Sequence, residues 1–200
     1  MSVEVTRPVR FAGLILGGGE GKRFGGPKAF AKLDDGRTFL EACAATLHGA
    51  GALPVVATLP PGTGDPQIDG LETIALPEPG MDMFASLATG LGRLDDFPDW
   101  RSVAILPVDH PLVGANAVTD LTDASAKAAI PFFEGKHGHP ICFDRGVASA
   151  IVRGEYPGPT LREVLREVGA VDVEVDDPGV VANCNTPETL ELALRRRIRD

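Results

Sequence analysis

Short apolar runs alternate along this chain with stretches in which apolar residues recur every three or four positions, a pattern that predicts strands and helices in turn. The runs Phe11 to Leu16, Leu53 to Thr58, Glu72 to Leu76, Val103 to Val108, Ala129 to Phe133 and Val171 to Val175 read as strands. Several are apolar at consecutive positions, as strands covered on both faces must be, so the sheet is expected to be mostly parallel with helices above and below it. Thr38 is placed to cap a helix with Leu40, Cys43, Ala44 and Leu47 on one face, which Gly49 or Gly51 can end. Further helices are expected from Phe84 to Leu94, from Thr160 to Val168, where Leu161, Val164, Leu165 and Val168 share a face, and from Thr186, with Pro187 at the first helical position. The segment Pro60 to Gly70 reads as a surface loop, since strand signals resume directly after it. A single three-layer α/β domain over residues 1–200 accounts for the pattern.

Composition narrows what such a domain can do. Apolar residues make up 44% of the chain and charged residues 24%, enough to bury a core and too ordered a mixture for a disordered or fibrous chain. The formal net charge of −9 repels nucleic acid and anionic membranes, so neither is an expected partner. Cys43, Cys142 and Cys184 are widely spaced with no C-x-x-C pair, and read as reduced core thiols. The apolar run that begins at Phe11 is too short for a signal-peptide core, and no run approaches a membrane span, so the expected location is the cytoplasm. Arg195, Arg196, Arg197 and Arg199 read as a solvated helix end whose cations suit the negative pole of the dipole.

The candidate chemistry begins where the first strand ends. Leu16 is followed by Gly17, Gly18, Gly19, Gly21, Gly25 and Gly26, with Lys22, Arg23 and Lys28 interspersed. Glycines let a backbone turn its N–H groups onto phosphate oxygens, and cations held against an acidic background reinforce that role. The loop is neither G-x-x-x-x-G-K-[ST] nor G-x-G-x-x-G in any register. A polyphosphate is the expected ligand, with Lys28 on the triphosphate rather than in an ion pair and Gly18 leaving room for a base. Ser86, near a helix start, can contact base or ribose, or serve only the helix start.

Asp109 follows the fourth apolar run, on the sheet edge that should also carry the glycine loop. A carboxylate there suits Mg²⁺, which takes one or two protein oxygens and fills its shell with phosphates and water, although an aspartate before a turn also serves as a turn residue. Asn183 and Asn185 precede the last helix and can complete the metal shell, hold ribose and acceptor groups, or cap that helix. His110, His137 and His139 lack the spacing of a zinc site, and His139 is a candidate for lining the acceptor pocket. An acceptor phosphate is largely dianionic near neutral pH, its second pKa being about 6, so it needs no strong general base.

Gly19 to Lys28 resembles the signature of the molybdopterin nucleotidyltransferases and related MobA-like NTP transferases, with Arg23, Phe24, Gly25, Pro27 and Lys28 in register. Four later segments resemble the same family in order: G-M-D-M-F-A-S-L from Gly80, P-V-D-H-P from Pro107, G-H-P from Gly138 and N-C-N-T-P-E from Asn183. The resemblance implies a nucleotide-diphospho-sugar transferase-like, Rossmann-like fold. It implies transfer of CMP or GMP from CTP or GTP to molybdopterin or a similar phosphorylated acceptor, with Mg²⁺ as cofactor. Arg23, Lys28 and Asp109 would be catalytic. Leu16, Gly17, Gly18, Gly19, Gly21 and Ser86 would bind the nucleotide, His139, Asn183 and Asn185 the acceptor, and Asp109 with Asn185 the metal. Relatives often carry D-x-D-T-P where this chain has N-C-N-T-P, the form common in guanylyl-transferring members, whereas the P-K spacing and the S-L helix start resemble cytidylyl-transferring ones. Transfer to a sugar 1-phosphate or another small phosphate ester, and a nucleotide-binding module without turnover, are the other readings of the same loop.

Overall fold

The computed structural model describes residues 11–19, 21, 24–156 and 160–197. The first strand, β1 (Phe11–Leu16), is buried at every position. It lies between β2 (Val55–Leu59) and β4 (Ser102–Pro107), parallel to both, and β3 (Leu71–Ala75) runs parallel outside β2. Beyond β4 the sheet becomes mixed: β7 (Ile141–Asp144) runs antiparallel between β4 and β5 (Ala128–Phe133). Short β6 (Lys136–His137) is antiparallel to β5, and β8 (Val171–Glu174) is parallel to it. The order is therefore β3-β2-β1-β4-β7-β5-β6, with β8 on β5.

Alternation along the strands supplies two apolar faces. Ile15, Val55, Ala57, Ala104 and Leu106 meet α1 (Phe39–Gly49), α3 (Ala115–Asp123) and α6 (Pro187–Arg197) on one side. Leu14, Leu16, Val56, Val103 and Ile105 meet α2 (Met83–Leu94), α4 (Arg145–Val152) and α5 (Leu161–Val168) on the other. Each of the larger side chains, Val, Leu or Ile, taken fully from water contributes about 1.5–3 kcal/mol, which makes the central strands a rigid base for the loops at their ends. This is the single three-layer α/β domain expected, with a mixed, mostly parallel sheet.

Local signals explain the boundaries. Thr38 Oγ1 accepts from the Glu41 N–H while the Glu41 carboxylate accepts from the Thr38 N–H at 2.6 Å, a full capping box for α1. Asp82 caps α2 by accepting from the Ala85 N–H, and Gly169 ends α5 in the left-handed conformation at φ 68°. The predicted strand start at Leu53 moves to Val55, Leu53 being 63% exposed. No helix among the described residues is long and apolar enough to cross a membrane.

The connections decide where a ligand can sit. From β1 the chain moves outward through β2 and β3, then α2 carries it back across the sheet to β4 on the opposite side of β1. The loops leaving β1 and β4 thus part at adjacent strand ends, Leu16 beside Pro107, and open a crevice at the carboxyl edge.

Candidate active site

Two hydrogen bonds carry the strand ladder to the lip of this crevice. Gly17 N–H donates to Thr58 O at 2.9 Å, and Val108 N–H donates to Leu16 O at 3.0 Å. Leu16 itself, 8% exposed, belongs to the apolar face under α2. Beyond Gly17 the chain turns through Gly21 at φ +59°, where a Cβ would lie 2.0 Å from Gly26 O and 2.6 Å from the Lys28 N. Only glycine fits that crossing. The loop is then fastened to the body by Phe24, whose ring meets Phe39 edge-on at 5.6 Å, and by fully buried Ala29. Arg23 lies outside the described residues, while Gly19 is exposed with open space where a Cβ would be.

Fastening places Lys28 opposite the end of β4. Its ammonium donates to Asp109 Oδ2 at 3.1 Å and to Asn185 Oδ1. The sequence expectation of a lysine outside any ion pair is corrected here: two oxygens already converge on this cation, and the ammonium settles between them. Asn185 arrives because Cys184 N–H donates to Asp109 O at 2.8 Å, which pins the segment before α6 along the β4 loop. The two asparagines are not the cap of α6; Thr186 Oγ1 accepts from the Thr189 N–H at 3.2 Å instead. Asn185 is thereby free to face the crevice, and Asn183, exposed, stands apart from the Lys28 cluster.

Behind Asp109 two imidazoles meet at a tilt of 59°. His110 is 4% exposed and its ring lies 4.7 Å from that of His139. His139 gets there because the strand returning from the β5 turn carries two more residues than its partner between the Phe132–His137 and Ala129–Cys142 pairings, and after Gly138, whose N–H still donates to Pro131 O at 3.0 Å, His139 and Pro140 bulge out of the ladder. The bulge is held by His139 N–H donating to Val180 O at 2.8 Å, and a Cβ on Gly138 would lie 2.2 Å from that same oxygen. Burial pushes His139 down to about 4, His110 beside it adding to the effect and Asp109 opposing it, so this ring is neutral at pH 7. Burial lowers His110 too, against the pull of Asp109. The Nδ1 atoms of both rings find no hydrogen-bond partner among the described residues. His137 goes elsewhere, to an exposed pairing with Asp172 at 2.9 Å.

The thiols near the site are inert. Burial raises Cys184 to about 11, with Asp109 adding to the rise, and pushes Cys43 higher still. Neither is a nucleophile at neutral pH.

On the far side of the glycine loop, Ser86 in α2 is 4% exposed, and its Oγ lies 3.0 Å from the Oγ1 of fully buried Thr58. A Cβ on Gly18 would sit 3.4 Å from Ser86 Oγ and 2.4 Å from Leu76 Cδ1. A methyl at position 18 therefore meets Leu76 first, so its expected crowding of a base acts through a protein side chain. Thr58 and His110 were not singled out in the sequence as site residues. A hydroxyl inside the buried strand V-V-A-T-L was the available signal for Thr58; for His110, next to Asp109, none separated it from an ordinary buried histidine.

The chain as a whole is similar to known proteins. The family model of the MobA-like NTP transferase domain matches residues 13–174. No curated protein sequence matches the chain. Among solved structures, Rv0371c from Mycobacterium tuberculosis H37Rv superposes with a TM-score of 0.75 at 20% identity, covering 95% of this chain and 100% of that one. The 2-C-methyl-D-erythritol 4-phosphate cytidylyltransferase of Thermus thermophilus gives 0.68 at 23%, over 94% and 98% of the two chains. Molybdopterin-guanine dinucleotide biosynthesis protein A from Archaeoglobus fulgidus gives 0.63 at 20%, over 94% and 100%. With the family model spanning the glycine loop, Asp109 and His139, the chain belongs to the MobA-like NTP transferases and is a nucleotidyltransferase.

Proposed function

We propose that the protein transfers CMP or GMP from CTP or GTP to a phosphorylated acceptor of the molybdopterin type, releasing pyrophosphate. The observation that carries this reading is the convergence of Asp109 Oδ2 and Asn185 Oδ1 on one cation at the foot of the glycine loop. In this reading Gly17 to Gly21 cradle the triphosphate, Lys28 and Arg23 take its negative charge, and the base lies towards Gly18 and Ser86. His139 and Asn183 border the acceptor side.

One carboxylate and one amide oxygen suit a hard divalent ion that completes its shell with phosphates and water, so Asp109 and Asn185 would hold Mg²⁺, with Lys28 moving to the triphosphate. Mg²⁺ when bound supplies positive charge against the polyphosphate. The protein's own share is positioning. An acceptor dianion attacks without a base, and the neutral His110–His139 pair offers hydrogen bonds without adding charge. A related structure of Rv0371C from Mycobacterium tuberculosis is a complex with manganese, which supports a divalent ion as the cofactor.

Pyrophosphate release tests the reading, with CTP and GTP offered in Mg²⁺ alongside either molybdopterin or small phosphate esters such as 2-C-methyl-D-erythritol 4-phosphate and sugar 1-phosphates. Turnover is expected with molybdopterin and should fall at least a hundredfold in Asp109→Asn while far-UV circular dichroism and Tm stay close to those of the parent. Preferred turnover on another ester replaces the acceptor; near-normal turnover of folded Asp109→Asn removes this carboxylate from the chemistry.

A further inference from the structure

We propose that Lys28 is the resident cation of the metal site, holding Asp109 and Asn185 closed to a free divalent ion until a triphosphate draws its ammonium away, so that ion and triphosphate bind only together. The inference rests on the reading of Asp109 and Asn185 as the oxygens that take the ion, and adds to it an order of events.

Ammonium and ion claim the same two oxygens. Lys28 Nζ donates to Asp109 Oδ2 at 3.1 Å and to Asn185 Oδ1, so the oxygen that each residue brings to this point is already engaged. A hard divalent ion such as Mg²⁺ binds oxygen directly, at about 2.0–2.1 Å, and needs those atoms bare. Nor can it share the space, because a second positive centre within hydrogen-bonding reach of an ammonium is repelled. The Lys28 and Asp109 side chains keep only 19% and 20% exposure, so water screens that repulsion less than it would at an open surface.

The lysine is placed to let go on one signal. Its backbone is fixed: Lys28 opens the short 3₁₀ turn Lys28–Phe30, in which Phe30 N–H donates to Pro27 O and Ala31 N–H to Lys28 O, each at 3.0 Å, and Ala29 beside it is fully buried. The freedom lies in the four-carbon stem, which lets the ammonium change partners without moving the turn. That turn closes the glycine loop, where a Cβ on Gly21 would lie 2.6 Å from the Lys28 N, so phosphates cradled by the loop come within reach of the stem. A triphosphate carries more negative charge than one carboxylate and wins the ammonium, whereas a free metal ion has nothing to offer it. The vacated oxygens then take the ion, whose charge the same phosphates share. Such coupling is reciprocal: the ion strengthens triphosphate binding by the factor by which the triphosphate strengthens binding of the ion.

The test titrates nucleotide-free protein with Mn²⁺, whose free form is counted by electron paramagnetic resonance. Lys28→Met should bind Mn²⁺ about tenfold or more tightly than the parent, and Lys28→Gln, uncharged but still able to hydrogen-bond, should gain in the same direction. Lys28→Arg keeps a cation in place and should stay within about twofold of the parent. So should Lys32→Met, which removes the same charge from an exposed position beside Glu41. Adding Asp109→Asn to Lys28→Met should abolish the gain. An unchanged Kd in Lys28→Met and Lys28→Gln, each checked for folding by Tm and far-UV circular dichroism, overturns the proposal. An equal gain in Lys32→Met does so too, because net charge alone would then be the cause. Asp109→Asn by itself tells the two readings apart. If it removes Mn²⁺ binding that Lys28→Met leaves unchanged, Asp109 is the ligand and only the role of Lys28 falls; if Mn²⁺ binding to Lys28→Met survives Asp109→Asn, the ion lies elsewhere and both fall.

Discussion

Gly21 shows how much of this site rests on a single backbone position. Its φ of +59° costs an L side chain roughly 1–2 kcal/mol, and the crossing at Gly26 O and the Lys28 N leaves no room for one. Gly21→Ala is expected to push the loop off that crossing and weaken triphosphate binding at least tenfold, with only a small change in Tm because the loop reaches the apolar layers through Phe24 and Ala29 alone. Calorimetry beside a thermal melt checks both halves; unchanged affinity would mean that the ligand does not use this loop conformation. At the same scale, Lys28, Asp109 and Asn185 could be picked from the sequence because glycine clusters, strand-end carboxylates and the asparagines before a capped helix are local patterns. Their meeting at one sheet edge followed from strand-end geometry and the family pattern, whereas the Cys184 to Asp109 hydrogen bond that sets the spacing did not, since it joins segments far apart in the chain. Thr58 was hidden for another reason: its contact with Ser86 exists only because α2 lies over it.

Among the elements, α1 sits behind the loop, and its first residue, Phe39, carries the Phe24 contact. The capping box makes that start firm. Thr38→Ala removes the acceptor for the Glu41 N–H and one partner of its carboxylate, and should lower stability by about 1 kcal/mol in urea titration at unchanged m. A loss below a few tenths would show that packing alone sets the start of α1. The sequence marked α1, α2, α5 and α6 because caps and apolar faces coincide there. It did not mark α3, whose A-N-A-V-T-D-L-T-D has weak intrinsic preference and is helical because Ala117, Val118 and Leu121 are buried against the sheet. The strand β7 and the helix α4 were missed as well: four residues after G-H-P are too few for a period to show, and the Asp144 cap, accepting from the Val147 N–H, comes directly at the strand end. On the mixed side β5 and β8 were marked but β7 and α4 were not, so the glycine-loop side was more legible than the side that bears His139.

For the molecule as a whole, the parallel strands β3, β2, β1 and β4 were readable as apolar runs, and the family pattern followed them in order. What a one-dimensional pattern cannot carry is timing. Lys28 is bonded to Asp109 across 81 positions and to Asn185 across 157. Closing such long spans is slow relative to forming neighbouring strands, because chain entropy is lost before those contacts return anything. During synthesis every strand can be laid down before residue 185 is available, so the Lys28 cluster is completed after the sheet. Refolding from urea should accordingly recover far-UV ellipticity before it recovers nucleotide binding, and a single shared phase would instead put docking of the C-terminal segment inside the main folding step. The cell is thereby given an interval in which an almost finished chain holds a glycine loop and a lone carboxylate, while the second oxygen that meets Lys28 and the α6 residue Leu190 that closes the core are still to come.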